Sequence, residues 1–185
     1  MKFFKRCFLA TVLLITFLGL NSWAALTPAE SDKMNGYDAP GFSATTVNGK
    51  TVSLEDYKGQ PILLNFFASW CPPCRQEIGE LLRIDEKYAS SGLAIIGAAT
   101  DSKLITDTPP DKEKSDVTIL VSRLKILYPV FIADQSLVQR YQFIGIPTII
   151  FITAEGKIAK VFYGYHNMDQ IEKIIQSSLL MSPIK

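Results

Sequence analysis

Residues 66–75 read FFASWCPPCR, and they place Cys71 and Cys74 three positions apart. The apolar run at residues 62–67 is typical of a strand that is buried on both faces. After the cysteines, apolar residues recur at helical spacing as far as about Tyr88. The pattern therefore predicts that the two cysteines lie where a buried strand passes into a helix.

The predicted position of Cys71 favours a reactive thiolate. At a helix N-terminus the first N–H groups lack partners and the macrodipole is positive, which lowers the pKa of a thiol there. Cys74, one turn further in, is placed to close a disulfide and is the more protected of the two. Pro72 and Pro73 stiffen the ring and lack backbone N–H donors, while Arg75 adds a positive charge.

The chemistry that this pair supports is thiol–disulfide exchange. Reduced Cys71 attacks a substrate disulfide, and Cys74 then attacks Cys71 and releases the reduced product. Two alternatives are a static disulfide, whose small loop would add little stability, and half of a zinc site. Three cysteines and a single histidine are a poor inventory for zinc. We therefore expect no metal and no cofactor besides the redox-active disulfide.

A second element is the sequence Gly145-Ile146-Pro147-Thr148, in which Pro147 directly precedes an apolar strand. An X-Pro bond can be cis, and a cis proline usually has a local purpose. A proline at the start of a strand is a weak indication by itself. The proline becomes more informative because the same chain also contains the two cysteines.

The remaining pattern predicts an α/β domain with a central mixed sheet flanked by helices. Asn48-Gly49 suits a tight turn in an N-terminal β-hairpin over residues 42–54. Strands and helices then alternate, which indicates a parallel core, and the last two strands form an antiparallel extension. We expect a solvent-exposed excursion at 101–116, strands at 62–67, 93–99, 130–132, 148–152 and 158–163, and later helices at 117–127, 135–141 and 168–180.

The N-terminus has the order of a secretory signal: Lys2, Lys5 and Arg6, then an apolar run over residues 7–20, then small residues. The apolar run is shorter than the ~20 residues that span a bilayer comfortably. We predict a signal peptide at 1–24, with a retained anchor as the alternative, a linker at 25–40 and one domain at 41–182. The destination would be extracytoplasmic, either periplasm or cell envelope, where disulfide chemistry is normal.

Charge excludes one large class of partners. The 185 residues carry 19 Lys and Arg against 18 Asp and Glu, a formal net charge of +1. Without a basic excess or a long Lys/Arg run, we expect no nucleic-acid partner. Contact with a membrane is expected only through the N-terminal segment.

The stretch at 66–75 together with Gly145-Ile146-Pro147-Thr148 resembles the thioredoxin superfamily. Within it, the chain is similar to the TlpA/ResA/CcmG group of exported thiol–disulfide oxidoreductases. The export signal and the N-terminal hairpin favour that group. So does Asn65, which lies six residues before Cys71 where thioredoxin carries a buried aspartate.

The resemblance implies a thioredoxin-like fold and a role for each matching residue. Cys71 matches the attacking cysteine and Cys74 the resolving one. The substrate-binding residues would be Trp70, Pro72, Pro73, Ile146 and Pro147, with Pro147 as the cis proline facing the dithiol. Members typically reduce disulfides in protein substrates, above all the haem-binding cysteines of apocytochrome c, and a membrane electron donor of the DsbD/CcdA type recharges them.

The chain departs from the group at several positions. Pro72 stands where ResA has a glutamate, Gly79 replaces a common proline, and the excursion is longer. Glu77 is a candidate for proton transfer, although an exposed helix carboxylate is the favoured interpretation. Asn65 needs hydrogen-bond partners if it is buried, and His166 is interpreted as a loop residue near a helix cap.

The reductase function has three rivals. A disulfide oxidant or isomerase of the DsbA type usually carries a polar or His residue between its cysteines, where this chain has two prolines. A Sco-like copper-delivery protein uses a CxxxC spacing and a distal histidine. A thiol peroxidase needs a threonine three residues before its reactive cysteine, and Ala68 stands there.

Overall fold

The computed structural model describes residues 34–88, 90–101, 109–142 and 144–179. The predicted signal peptide at 1–24 and the first part of the predicted linker lie outside these residues. No helix within the described ranges is long and apolar enough to cross a membrane.

A short hairpin precedes the main sheet. Strand β1 (Ser43–Thr45) pairs antiparallel with β2 (Thr51–Ser53), as the sequence predicts. Gly49 has a φ of +82° in the connecting turn, a conformation in which glycine carries no steric penalty. A 3₁₀ turn at Leu54–Tyr57 follows, and the backbone N–H of Val47 donates to the carbonyl of Val130 at 2.8 Å. The hairpin is thereby attached to the edge of the main sheet.

The main sheet has five strands in the order β5-β4-β3-β6-β7. Its strands are β3 (Ile62–Phe67), β4 (Ala94–Ala99), β5 (Val130–Ile132), β6 (Thr148–Ile152) and β7 (Ile158–Tyr163). Strand β3 is parallel to β4 and antiparallel to β6. All six residues of β3 are buried, as expected for a central strand covered on both faces. The predicted parallel core with an antiparallel extension is confirmed.

Helices cover both faces of this sheet. On one face, α1 (Pro72–Tyr88), α2 (Pro110–Leu124) and α4 (Met168–Leu179) pack over a core that contains both cysteines. On the other face, α3 (Gln135–Tyr141) and the hairpin cover a second core around Phe66, Phe131 and Tyr141. The predicted α/β architecture follows from these two apolar layers.

Of the predicted exposed excursion at 101–116, residues 102–108 lie outside the described residues, and the described remainder differs from the prediction in two respects. Helix α2 begins at Pro110, not near residue 117, because a proline at the first helical position loses no hydrogen bond. Asp101 and Glu113 are each only 1% exposed. Residues 109–112, 114 and 115 are exposed, as the polar composition predicts, whereas these two carboxylates are buried.

The described part of the predicted linker is attached to β7. The N–H of Gly36 donates to the carbonyl of Ile158 at 2.7 Å, and the N–H of Ile158 donates to Tyr37 at 2.9 Å. The side chains of Met34 and Ala39 pack against the second core. Residues 34–40 therefore belong to the packed domain.

The sheet register brings several chain segments to one edge. The ends of β3, β4 and β5 coincide there, since Phe67 pairs with Ala99 and Ala99 with Ile132. Thr148, the first residue of β6, pairs with Phe66 of β3 and with Tyr163, the last residue of β7. The segments at 68–71, 145–147 and 164–167 consequently meet at this edge.

Candidate active site at the strand-to-helix junction

Cys71 and Cys74 form a disulfide with an S–S distance of 2.07 Å. Cys74 lies in the first turn of α1, and both cysteines are buried, at 3% and 1% exposure. Since Pro72 and Pro73 have no N–H, the donor aimed at Cys71 is the backbone N–H of Cys74, 3.3 Å from its sulfur. The predicted junction of strand and helix is confirmed. The helix start directs one amide at the sulfur of Cys71.

The segment between β3 and Cys71 is held from two sides. From α1, the Arg75 guanidinium donates to the carbonyl of Ser69 at 3.0 Å. From the end of β4, the Asp101 carboxylate accepts the Ser69 backbone N–H at 2.9 and 3.0 Å and also the Ser69 hydroxyl. The Trp70 indole N–H lies 3.4 Å from the Asp101 carbonyl oxygen. Asp101 thus fixes the residues immediately before Cys71.

The sequence pattern does not predict Asp101 as a residue of the site. Its position directly after the second parallel strand could have indicated it, because such strand ends share an edge with the end of β3. Burial raises the pKa of its carboxyl, and the nearby acids Glu113 and Asp116 raise it further, while the hydrogen bonds from Ser69 lower it.

The Ile146–Pro147 peptide bond is cis, in the position that the resemblance implied. The Thr148 hydroxyl donates to the carbonyl of Gly145 at 2.6 Å, and Ile146 packs against the core cluster that contains both cysteines. The Pro147 carbonyl accepts the N–H of Gly164 at 2.9 Å. The proline segment is therefore tied to the residues that follow β7.

Glu77 is fully buried, at 0% exposure, so the expected exposed position is wrong. It lies on the same face of α1 as the buried residues Cys74, Ile78 and Leu81, because residues three and four apart share a helix face. Its Oε2 accepts the side-chain amide of Asn65 at 3.0 Å, and its Oε1 accepts the backbone N–H of His166 at 2.9 Å. Its i+3 spacing from the buried Cys74 agrees with this position.

Asn65 and Glu77 together form a polar centre beneath the helix that carries Cys74. The expectation that a buried Asn65 finds a partner is met for its amide nitrogen. Its Oδ1 has no hydrogen-bond partner among the described residues. The single carboxylate of this polar centre comes from α1, through Glu77.

The electrostatics of Glu77 and His166 are coupled. Burial raises the pKa of the Glu77 carboxyl above its usual value, and hydrogen bonds from His166 and Asn65 offset part of that rise. The Glu77 carboxylate beside the ring raises the pKa of His166, against a smaller lowering by burial. His166 does precede helix α4, as predicted, but it also contacts a buried acid.

The edge that holds the disulfide displays apolar surface. Trp70, Ile144 and Tyr165 are 39%, 57% and 42% exposed, and Pro72 and Pro73 are exposed on the first turn of α1. Among the residues that the structure describes, no group of three or more His, Cys, Asp or Glu side chains is arranged to hold a metal ion. The arrangement suits contact with an apolar polypeptide segment.

The fold and this site define an enzyme of the thioredoxin-like thiol–disulfide oxidoreductase class. Residues 35–161 match the AhpC/TSA family, and the chain belongs to that family. It is 31% identical to a thiol:disulfide interchange protein of the thioredoxin family from Chlorobium tepidum TLS. That crystal structure superposes with a TM-score of 0.67 over 77% of this chain and 95% of its own.

Two curated relatives agree with this assignment. Thioredoxin-like protein YneN of Bacillus subtilis is 29% identical over 89% of this chain and 94% of its own length. Thiol-disulfide oxidoreductase ResA of the same organism is 29% identical over 89% of this chain and 88% of its own length. The predicted resemblance to the TlpA/ResA/CcmG group is confirmed.

Proposed function

We propose that the chain is an extracytoplasmic reductase of disulfides in protein substrates, with a task of the cytochrome c maturation kind. The observation that carries this proposal is the Cys71–Cys74 disulfide at the start of α1, at the sheet edge to which the cis Ile146–Pro147 bond also belongs. The N-terminal signal order supports the extracytoplasmic location.

The reaction consumes the reduced dithiol. The Cys71 thiolate attacks one sulfur of a substrate disulfide, so that a Cys71–substrate bond forms and the first substrate sulfur leaves as a thiolate. Cys74 then attacks Cys71, the mixed disulfide breaks, and the second substrate sulfur leaves. The dithiol loses two electrons and two protons, and the substrate gains both. A membrane electron donor of the DsbD/CcdA type would restore the dithiol.

Glu77 supports the second step as a proton acceptor. Cys74 must lose its thiol proton before it attacks, and it is nearly inaccessible to water at 1% exposure. Glu77 is three residues further along the same helix face, where side chains are neighbours. Because burial raises the pKa of its carboxyl, Glu77 holds an accepted proton more firmly than an exposed glutamate would.

The exposed residues Trp70, Pro72, Pro73, Ile144 and Tyr165 form an apolar rim around the disulfide. This rim supports a polypeptide substrate. An extended segment lying along Ile146 would pair with its backbone, and Trp70, Pro72 and Pro73 would flank the attacked sulfur. Peroxide is a poor alternative in spite of the family match. The residue three before Cys71 is Ala68, fully buried at 0% exposure, which offers no hydroxyl to a peroxide.

The reduction potential of the Cys71/Cys74 pair tests the direction of the reaction. We expect a value nearer the roughly −270 mV of thioredoxin than the roughly −120 mV of DsbA. The full chain is equilibrated in glutathione or dithiothreitol redox buffers and the thiols are alkylated. A Cys7→Ser background removes the third cysteine, so that the assay reports only this pair. A potential close to that of DsbA would contradict a reductase.

A further inference from the structure

The loop at residues 164–167, between β7 and α4, connects three parts of the site. Its Gly164 N–H binds the Pro147 carbonyl and its His166 N–H binds Glu77 Oε1. Directly after it, the N–H of Met168 donates to Glu80 Oε2 at 3.2 Å. The loop therefore lies between the cis proline and the acids of α1.

Glu77 has no direct access to water, since its side chain is 0% exposed. The His166 ring, whose side chain is 18% exposed, approaches it: Nδ1 lies 3.7 Å from Glu77 Oε1. The same Nδ1 lies 2.8 Å from the Gly164 carbonyl, which can only accept and so assigns a hydrogen to Nδ1. The Phe162 ring meets the imidazole edge-on. This packing holds the imidazole beside the carboxylate.

We propose that His166 governs the protonation of Glu77 and exchanges its protons with water, acting through Glu77 as a positioning residue for the resolving step at Cys74. This inference rests on the proposed thiol–disulfide exchange. An imidazole titrates near neutral pH and both of its nitrogens exchange protons. It is therefore the group beside Glu77 that is suited to relay protons to solvent.

The resolving step moves one proton from Cys74 through Glu77 and His166 to water. Before this step, Glu77 and His166 share one titratable proton: His166 is an imidazolium and Glu77 is an ionised carboxylate. The Cys74 thiol gives its proton to Glu77, the Cys74 thiolate bonds to Cys71, and the substrate sulfur leaves as a thiolate. His166 then releases a proton to water, and the proton on Glu77 redistributes over the pair. Because the two groups interact, they titrate together.

Other polar groups lie near Glu77 and His166 on α1, on β3 and before β5. Glu80 of α1 accepts the Tyr165 hydroxyl at 3.3 Å and also binds Arg83. Asn65 of β3 is neutral. Tyr128 precedes β5, and burial raises the pKa of its phenol well above the ordinary value. Glu77 is thus the charge that acts most directly on His166.

His166 is the chain's single histidine, so NMR of ring-labelled full-length protein reports it without ambiguity. We expect its titration midpoint above the usual value of about 6.5 in the disulfide form. In Glu77→Gln the midpoint should fall below that of the wild type, because the carboxylate that raises it is gone while burial remains. An unchanged midpoint in Glu77→Gln would overturn the proposal.

The second measurement is the pH profile of mixed-disulfide resolution, with a cyclic disulfide peptide as the substrate probe. His166→Gln keeps the backbone N–H to Glu77 but loses the imidazolium, so the Glu77 pKa rises further. The rising limb of the rate–pH profile should move to higher pH by about one unit. At a given pH on that limb, the rate of resolution should then be roughly tenfold lower. An unmoved limb would contradict the proposal.

Asn167→Ala is the matched control. It removes the side chain that accepts the Gln170 N–H at the start of α4 and leaves His166 in place. It should lower stability and leave both the midpoint and the limb unmoved. If Asn167→Ala shifts the limb as far as His166→Gln does, the effect belongs to loop structure and the proposal fails. A DsbA-like potential with a midpoint that still follows Glu77 would refute the reductase and leave the coupling standing.

Discussion

Asp101 makes the geometry before Cys71 depend on a side chain 32 residues away from Ser69 in sequence. A carboxylate that accepts a backbone N–H and a hydroxyl from the same residue fixes both its position and its rotation. Charge-assisted hydrogen bonds of this kind are about twice as strong as neutral ones. The Trp70 indole, bound to the Asp101 backbone, is thereby placed beside the disulfide.

We predict that Asp101→Ala frees the Ser69–Trp70 segment. Loss of these hydrogen bonds should cost about 1–3 kcal/mol of stability, raise acrylamide quenching of Trp70 fluorescence and slow disulfide exchange several-fold. Asp101→Asn should restore most of each value, because its carbonyl oxygen still accepts the Ser69 N–H. A Trp23→Phe background leaves Trp70 as the single tryptophan of the chain.

Asp56→Ala is the control for Asp101→Ala. Asp56 also accepts a backbone N–H, from Ser53 at 2.8 Å, but it precedes β3, whose far end leads to Cys71. Its loss should destabilise the protein without changing the quenching of Trp70. Equal quenching in the two variants would show that Asp101 has no particular role at the site.

At the scale of the elements, strand β4 leaves little room for a side chain at Gly97. A Cβ there would lie 3.0 Å from Val130 Cγ2 and 3.1 Å from Phe67 Cε1. We predict that Gly97→Ala costs about 1–3 kcal/mol by overpacking, measured by urea unfolding of the disulfide form.

Gly79→Ala adds the same methyl group but should change the stability of the protein in the opposite direction. Gly79 is exposed on α1 and a Cβ there would meet nothing within 4 Å. Replacing a helical glycine should therefore stabilise the protein by about 0.5–1 kcal/mol. A Gly97→Ala protein as stable as the wild type would show that the side chains of Val130 and Phe67 make room for the methyl group without cost.

The elements with strong apolar periodicity were predictable, and those that depend on distant partners were not. Strand β3 is apolar throughout and Asn48-Gly49 specifies a turn, so local chemistry sufficed. The start of α2 was missed because residues 109–116 are polar and their burial at Glu113 depends on the tertiary fold. A first-turn proline at Pro110 was the available indication.

The residues of the site also differ in whether the sequence could predict them. Cys71, Cys74 and Pro147 were predictable because their chemistry is tied to short sequence patterns. Glu77 and Asp101 were not, because each is defined by a partner brought near by sheet topology: His166 for Glu77 and Ser69 for Asp101. Glu77 shares a helix face with Cys74 and Ile78, but the sequence favours an exposed carboxylate, because burial of a carboxylate requires hydrogen-bond partners that only the tertiary fold supplies.

At the scale of the whole molecule, reactivity is confined to one edge of the sheet. Both cysteines are nearly buried there, and the exposed Trp70, Ile144 and Tyr165 belong to the same edge. With a formal net charge of +1, long-range attraction contributes little to substrate choice. Substrate choice therefore depends on contact with the apolar rim and on access to Cys71. Both requirements favour flexible cysteine-containing segments over folded surfaces.

We therefore predict that reduced full-length Cys74→Ser retains a disulfide peptide as a stable adduct on Cys71. The probe is a cyclic Cys-x-x-Cys-His peptide, since that spacing is the c-type haem attachment sequence. Without Cys74 the mixed disulfide cannot resolve, so mass spectrometry should show the peptide mass added at Cys71. Cys71→Ser should capture little, because Cys74 is a buried residue in the first turn of α1. Capture by Cys71→Ser but not by Cys74→Ser would reverse the two roles.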